Sequence, residues 1–296
     1  MSNEHWSRLF FKQPIIAISP LKGGRQHQTD LIELTDGSKW VCKKLTGSTW
    51  LGIMNSAQFR FTEVIATHVA NKTGYTYAPK TLPIPKRWVE GTQTHLLITP
   101  YCKGKLRATV TQEQAFLLGK LLAKLHQLNL PKKGGQAFPC INLPENQSYS
   151  PEVKLLVEQS NASLQYDSQN WVVSHRDIHL ENIVWKDAEK PHLIDWESAG
   201  LIHPFVELIG VAMNSSGLAV KKFEKNLFRA TLRGYAQIMG NLPQANEHLW
   251  GLIFHSWLLW YAYSLRRNWQ EDAEQTLQVI KLIKLKMKEL QHLYAD

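Results

Sequence analysis

The densest chemistry in this chain of 296 residues lies between positions 173 and 197. The segment Val173-Ser174-His175-Arg176-Asp177-Ile178-His179-Leu180-Glu181-Asn182 contains His-x-Asp, and Asn182 follows Asp177 after four intervening residues. Thirteen residues beyond Asn182, the apolar pair Leu193-Ile194 runs into Asp195, with Trp196-Glu197 after it. A carboxylate and an amide on one short loop, with a second carboxylate at a strand end, offer a base for a hydroxyl group. They also offer oxygen ligands for a hard cation such as Mg²⁺. Phosphoryl transfer needs that equipment, because there the protein mainly orients the acceptor and holds metal on the phosphates. On this reading Asp177 is the base, and Asn182 and Asp195 are the magnesium ligands. The competing reading is a pair of turn-capping acids and a surface Asn. Three metal-competent side chains at this spacing speak against it.

A hairpin is needed to bring Asp195 back beside Asn182, and residues 171–195 read as short strands around a polar turn. The first hundred residues also read mostly as strands, at 15–18, 29–34, 39–45 and 94–101. Asp36-Gly37 between the second and third of these is a strong hairpin-turn signal. Residues 59–70 show helical spacing, with Phe61, Val64, Ile65 and Val69 on one side and Gly74 as the stop. After Gly104 the pattern turns helical. Residues 112–128 carry an amphipathic stripe of Phe116, Leu117, Leu121, Leu122, Leu125 and Leu128. Residues 131–151, rich in Pro and Gly, read as a surface loop. Residues 151–163 read as a helix, and almost everything from Pro204 onward is helical. The expected fold is therefore α+β, with a small strand-rich N-terminal lobe (1–101) and a larger helical C-terminal lobe (102–296). Val41 and Lys43 share one face of their strand, because strand side chains alternate. An inward lysine in an apolar strand is costly unless it is paired, so a functional Lys43 beside a solvated Lys44 is preferred over two surface lysines.

The arrangement resembles the aminoglycoside phosphotransferase and choline kinase superfamily, relatives of the protein kinases, over nearly the whole chain. The resemblance implies a bilobal, protein-kinase-like fold with a nucleotide-binding N-lobe and a catalytic, acceptor-binding C-lobe. Gly23-Gly24 would be the nucleotide loop. Val41-Cys42-Lys43 is similar to the third-strand Val-x-Lys, which makes Lys43 the contact to the α- and β-phosphates and Glu63 its ion-pair partner. Leu118-Gly119-Lys120-Leu121-Leu122-Ala123-Lys124-Leu125-His126 is similar to the L-G-x-x-L-A-x-L-H helix of these kinases. Ile194-Asp195-Trp196-Glu197 replaces the D-F-G of protein kinases, and no A-P-E follows, which favours the small-molecule branch. His175 would brace the catalytic loop, and His126 reads as a core histidine. His179 stands where protein kinases place a phosphate-touching lysine, and no catalytic role is assigned to it. Three departures stand out. Arg176 replaces the Gly or Asn usual between His and Asp. Pro204-Phe205-Val206-Glu207-Leu208 has Glu where the family has Asp. Gln26 and His27 stand near the glycine loop in place of its usual Asn.

Composition bounds these readings. With 34 Lys+Arg against 25 Asp+Glu, the net charge is +9, which suits an anionic partner such as a nucleotide. Paired basic residues are scattered and define no single face, so no nucleic-acid partner is expected. Cys42, Cys102 and Cys140 are too far apart for a disulfide framework or a zinc site, which points to a reduced, cytoplasmic setting. No signal peptide is expected, and the most apolar segment, 252–265, contains His255 and two serines and falls short of a membrane span. Trp250, Phe254, Trp257, Trp260, Tyr261, Tyr263 and Trp269 form a cluster that reads first as core and second as an acceptor pocket. The basic helix carrying Lys281, Lys284, Lys286 and Lys288 reads as a solvated face. The function expected is transfer of a γ-phosphate, from ATP with GTP as the alternative donor and with Mg²⁺, to a hydroxyl of a small molecule. The alternative is a catalytically idle kinase fold that serves as a binding module.

Overall fold

The computed structural model describes residues 10–21, 26–82, 88–89, 94–145, 147–186 and 190–296. The chain divides into two compact units, Met1–Lys103 and Gly104–Asp296. Gly23 and Gly24 lie outside the described residues.

The first unit is built on an antiparallel sheet of β1 (Ile15–Pro20), β2 (Gln28–Leu34), β3 (Lys39–Thr46), β6 (Trp88–Val89) and β7 (Thr94–Pro100), in the order β1-β2-β3-β7-β6. A separate two-stranded piece, β4 (Ser48–Thr49) and β5 (Gly52–Ile53), precedes helix α1 (Ser56–Thr73). The β2–β3 turn closes at Asp36-Gly37, where Gly37 takes φ +79°, the left-handed conformation that a tight hairpin requires. Alternation along the strands separates two faces. Ile32, Leu34, Cys42, Leu96 and Ile98 pack on one with Phe10, Phe11 and Trp40. Leu45, Met54, Phe59 and Leu97 pack on the other. Helix α1 starts at a capping box between Asn55 and Gln58 and stops at Gly74, φ +68°. Its buried face is Phe59, Thr62, Glu63, Ile65, Ala66 and Val69. Val64, expected on that face, is exposed, and Glu63 is buried. Apolar spacing alone does not settle which residues at the edge of a helical stripe turn inward.

In the second unit, α2 (Gln112–Gln127) opens at a Thr111–Gln114 capping box and buries Leu118, Leu121, Leu122 and Leu125. Helix α3 (Pro151–Ala162) follows, capped by Ser150 with Pro151 in its first turn. Strands β8 (Val172–Ser174), β9 (Ile183–Trp185), β10 (Pro191–Leu193) and β11 (Gly200–Ile202) come next. Then follow α4 (Pro204–Ser215), α5 (Lys225–Met239), α6 (Glu247–Leu252), α7 (His255–Arg266) and α8 (Gln270–Ala295). Helices α2 and α5 approach so closely that a Cβ on Gly119 would lie 1.9 Å from the Thr231 carbonyl oxygen, and one on Gly234 would lie 2.0 Å from that of Phe116. The stretch before α3 has no regular structure, as expected, but it is not simply a surface loop. Phe138 and Ile141 are buried, and Asn161 of α3 brackets Ile141 through both its N–H and its C=O. In the aromatic cluster, Trp250, Phe254, Tyr261 and Tyr263 are buried. Trp250 packs edge-on against Phe205 and Tyr294, which is the core reading. Lys284 pairs with Glu152 and Lys286 with Glu289 on the solvated side of α8. Among the described residues, no helix is long and apolar enough to cross a membrane.

Candidate active site

Strands β8 and β11 pair antiparallel, as do β9 and β10, and the chemistry sits on the loops between them. Ser174 ends β8. His175, Arg176 and Asp177 follow, and a single 3₁₀ turn, Leu180–Asn182, leads into β9. The β9–β10 ladder, with Ile183 opposite Leu193, brings the chain back to Asp195. Hydrogen bonds at Asn182 then tie Asp177 to Ile194, the residue before Asp195. Asn182 Nδ2 donates to the Asp177 carbonyl at 2.9 Å and lies 3.4 Å from its Oδ2. The Ile194 N–H donates to the Asn182 carbonyl at 3.1 Å. Asp195 itself has φ +64° at the head of the Trp196–Ser198 turn. That strained conformation is common at functional sites.

His175 is fully buried. It meets the Ile194 carbonyl through Nε2 at 2.8 Å and sits edge-on to Trp196 at 4.7 Å. It therefore braces the backbone on which Asp195 depends. Asp177 and Asp195 are both half-exposed, and Asn182 is buried. The nitrogen of Asn182 is committed to Asp177, so its Oδ1 is the atom left to ligate a cation. One carboxylate and one amide oxygen fit Mg²⁺, which takes few protein ligands and completes its shell with waters and phosphate oxygens. Among the described residues, no group of three or more His, Cys, Asp or Glu could hold a metal. His179 Nε2 stands 3.8 Å from Asp177 Oδ1.

Beneath the loop lies a buried polar network. Helix α4 begins at His203, whose Nδ1 accepts from the Phe205 N–H and whose Nε2 meets Asp167 at 3.1 Å. One turn into the helix, Glu207 accepts the Arg176 N–H at 2.6 Å and meets His126 Nε2 at 2.8 Å, and His126 Nδ1 meets the Tyr235 hydroxyl at 2.8 Å. Burial alone would raise the Glu207 carboxyl. The His126 hydrogen bond and charge, with the Arg176 amide, outweigh it and hold the group below its usual range. The longer acid thus still reaches the loop that carries Asp177.

In the first unit, Lys43 and Glu63 are both buried. Lys43 pairs with Leu97 across β3 and β7, and Leu45 pairs with His95. Lys43 and His95 therefore share a sheet face. Glu63 reaches the same face from α1, with Oε1 2.5 Å from His95 Nε2, while His95 stacks on Phe59 at 5.2 Å. Lys44 is half-buried. Next to the glycine pair, the Gln26 side chain accepts from the Trp50 N–H and His27 Nδ1 accepts from the Thr46 N–H. Sequence reasoning missed two contributors, His95 and the guanidinium of Arg176. Their partners are distant in the chain, and no local spacing announces them.

A family model described as the phosphotransferase enzyme family matches residues 17–240. Among solved structures, the chain is similar to an amicoumacin kinase in complex with AMP-PNP, Ca²⁺ and Ami, with TM-score 0.70 and 12% identity over 94% of this chain and 90% of that one. It is also similar to a spectinomycin phosphotransferase in complex with ADP and spectinomycin, with TM-score 0.61 and 14% identity over 94% and 91%. An ethanolamine kinase of Plasmodium vivax gives TM-score 0.61 and 11% identity over 92% and 83%. At these identities the likeness is one of fold. No curated protein sequence matches the chain.

Proposed function

We propose, from the premise that the chain belongs to the phosphotransferase enzyme family, that it moves the γ-phosphoryl group of ATP, with Mg²⁺, to a hydroxyl of a small molecule. The observation that carries this reading is the bonding of Asp177, Asn182 and Ile194-Asp195 through a single asparagine. Asp177 orients the acceptor hydroxyl and takes its proton as the acceptor oxygen bonds to phosphorus and the bond to the β-phosphate oxygen breaks. Asn182 Oδ1 and the Asp195 carboxylate would hold the cation, which when bound offsets phosphate charge. Lys43 contacts the α- and β-phosphates, with Glu63 as its partner. Gly23 and Gly24, outside the described residues, keep their proposed place in the nucleotide loop. The fold neighbours solved with ADP and with AMP-PNP support a nucleotide donor. Cys42, Cys102 and Cys140 are thiols outside any disulfide, which supports a cytoplasmic setting.

The acceptor is neutral, singly charged or anionic. Residues 204–296 carry eleven Lys and Arg against eight Asp and Glu. Glu207 is committed to the buried network, Glu289 to Lys225 and Lys286, and Asp296 to Arg229. Few carboxylates are left there to gather a polycation. The half-buried Trp260 and Trp269, packed with Tyr263, support an aromatic contribution to the acceptor site. The metal assignment is tested by nucleotide-induced thermal stabilisation with and without Mg²⁺. Asp195→Ala abolishes the magnesium-dependent part, and Asn182→Ala weakens it less. An unchanged magnesium-dependent shift in Asp195→Ala places the metal elsewhere.

A further inference from the structure

Arg176 holds a backbone conformation that favours glycine, with φ +66°. Its side chain is only 8% exposed. A buried guanidinium is costly unless its donors find partners, and here two of its nitrogens donate to backbone carbonyls. Nε donates to Ser198 O at 2.6 Å and Nη1 to Gln136 O at 2.9 Å, and the guanidinium lies 4.8 Å from the centre of the Phe138 ring. Its own N–H goes to Glu207. Burial lowers its pKa to about 10, against the pull of Glu207 and Asp177, so it stays charged at neutral pH. On the Gly200 side the packing around it is tight. A Cβ on Gly200 would lie 2.5 Å from Arg176 Cζ and 2.6 Å from Gln136 O.

We infer that Arg176 is a positioning residue for phosphoryl transfer, strapping the loop of Asp177 to the turn that follows Asp195 and to the irregular chain at Gln136–Phe138. The inference rests on the functional reading above, which gives Asp177 and Asp195 their roles. Asp177 is the next residue after Arg176, and Ser198 is three residues past Asp195. Asn182 already links the two carboxylate loops on one side. The guanidinium fork supplies a second link, through Ser198. Both carboxylates sit outside the strands, so their separation depends on such links. A misplacement of about 1 Å at a reacting group costs on the order of 10²-fold in rate. Lysine, a single point charge, cannot span two carbonyls as the planar fork does.

The test compares Arg176→Lys and Arg176→Gly with the wild-type chain for kcat, KM, Mg²⁺ half-saturation and melting temperature. Glycine suits φ +66°, so that variant loses the fork while relieving the backbone. Both variants are expected to fold and to lose about 10–10²-fold in kcat. Nucleotide KM should be nearly unchanged and the Mg²⁺ half-saturation raised. Added guanidinium ion should restore part of the activity of Arg176→Gly and none of that of Arg176→Lys. Wild-type kcat and magnesium dependence in the folded variants overturn the proposal. So does a loss that tracks melting temperature alone without guanidinium rescue. Failure of both variants to fold makes Arg176 a stability residue and overturns it too. A wild-type chain inactive with every donor and acceptor fails the functional reading instead.

Discussion

Glu207 is a buried acid bonded to the loop that carries Asp177. It takes the Arg176 N–H and the His126 ring, and these hold its pKa below the usual carboxylate value of 4.5 despite burial. A carboxylate depressed in the folded state stabilises the fold above its unfolded pKa, and that contribution is lost as pH falls through the folded value. The wild-type melting temperature should therefore drop more steeply below about pH 4.5 than that of Glu207→Gln, as read by a pH series of thermal melts. Parallel slopes would contradict the network. At this scale the sequence was legible where partners are near neighbours. Asp177 and Asn182 lie on one loop, so their spacing already brings them together. The Arg176 fork was not legible, because its acceptors at Gln136 and Ser198 lie 40 and 22 residues away. Being backbone carbonyls, they leave no trace in residue type.

Elements meet through contacts that composition hides. The Leu stripe of α2 announced a buried helix, but only the packing shows why Gly119 stands in it, against the Thr231 carbonyl of α5. Gly119→Ala forces the two helices apart, and overpacking of this kind costs about 1–3 kcal/mol or more. Calorimetry should show a lowered melting temperature, and an unchanged one would contradict the close crossing. The chain between α2 and α3 read as surface from its Pro and Gly content, yet its Pro139 carbonyl meets His255 Nε2 of α7 at 2.9 Å. The Nδ1 of that histidine meets Ser160 of α3 at 2.8 Å. Burial pushes the His255 pKa down to about 4, against the Pro139 hydrogen bond. Between the ordinary value of 6.5 and about 4, the unfolded chain binds a proton that the folded chain refuses. Stability is therefore lost as pH falls through that window, by roughly 3 kcal/mol from this group. Urea unfolding at the two ends of the window should show that loss in the wild type and a smaller one in His255→Gln. Equal losses would contradict it. Helix α1 gives the converse lesson. Its existence followed from spacing and caps, but the exchange of Val64 for Glu63 on its buried side came from the partner His95 on β7.

At the scale of the molecule, the family match over residues 17–240 covers Lys43, Glu63 and the whole His175–Asp195 constellation, and leaves 241–296 beyond it. The residues proposed to handle phosphate could be singled out because phosphoryl transfer demands fixed residue types at fixed spacing. The acceptor was not, because a binding pocket is set by shape, and one fold serves many substrates. Phosphate transfer through Asp177 is read from acceptor-dependent release of nucleoside diphosphate, over a panel of hydroxylated small molecules with ATP and with GTP, in the wild type and in Asp177→Asn. Magnesium-dependent release above background is expected with a neutral, singly charged or anionic acceptor, and kanamycin-like polycations are expected to be turned over poorly. Asp177→Asn is expected to lose about 10²–10⁴-fold in turnover with nucleotide affinity retained. Full activity in a folded Asp177→Asn, or nucleotide binding with no acceptor-dependent release across the panel, would contradict phosphate transfer through Asp177.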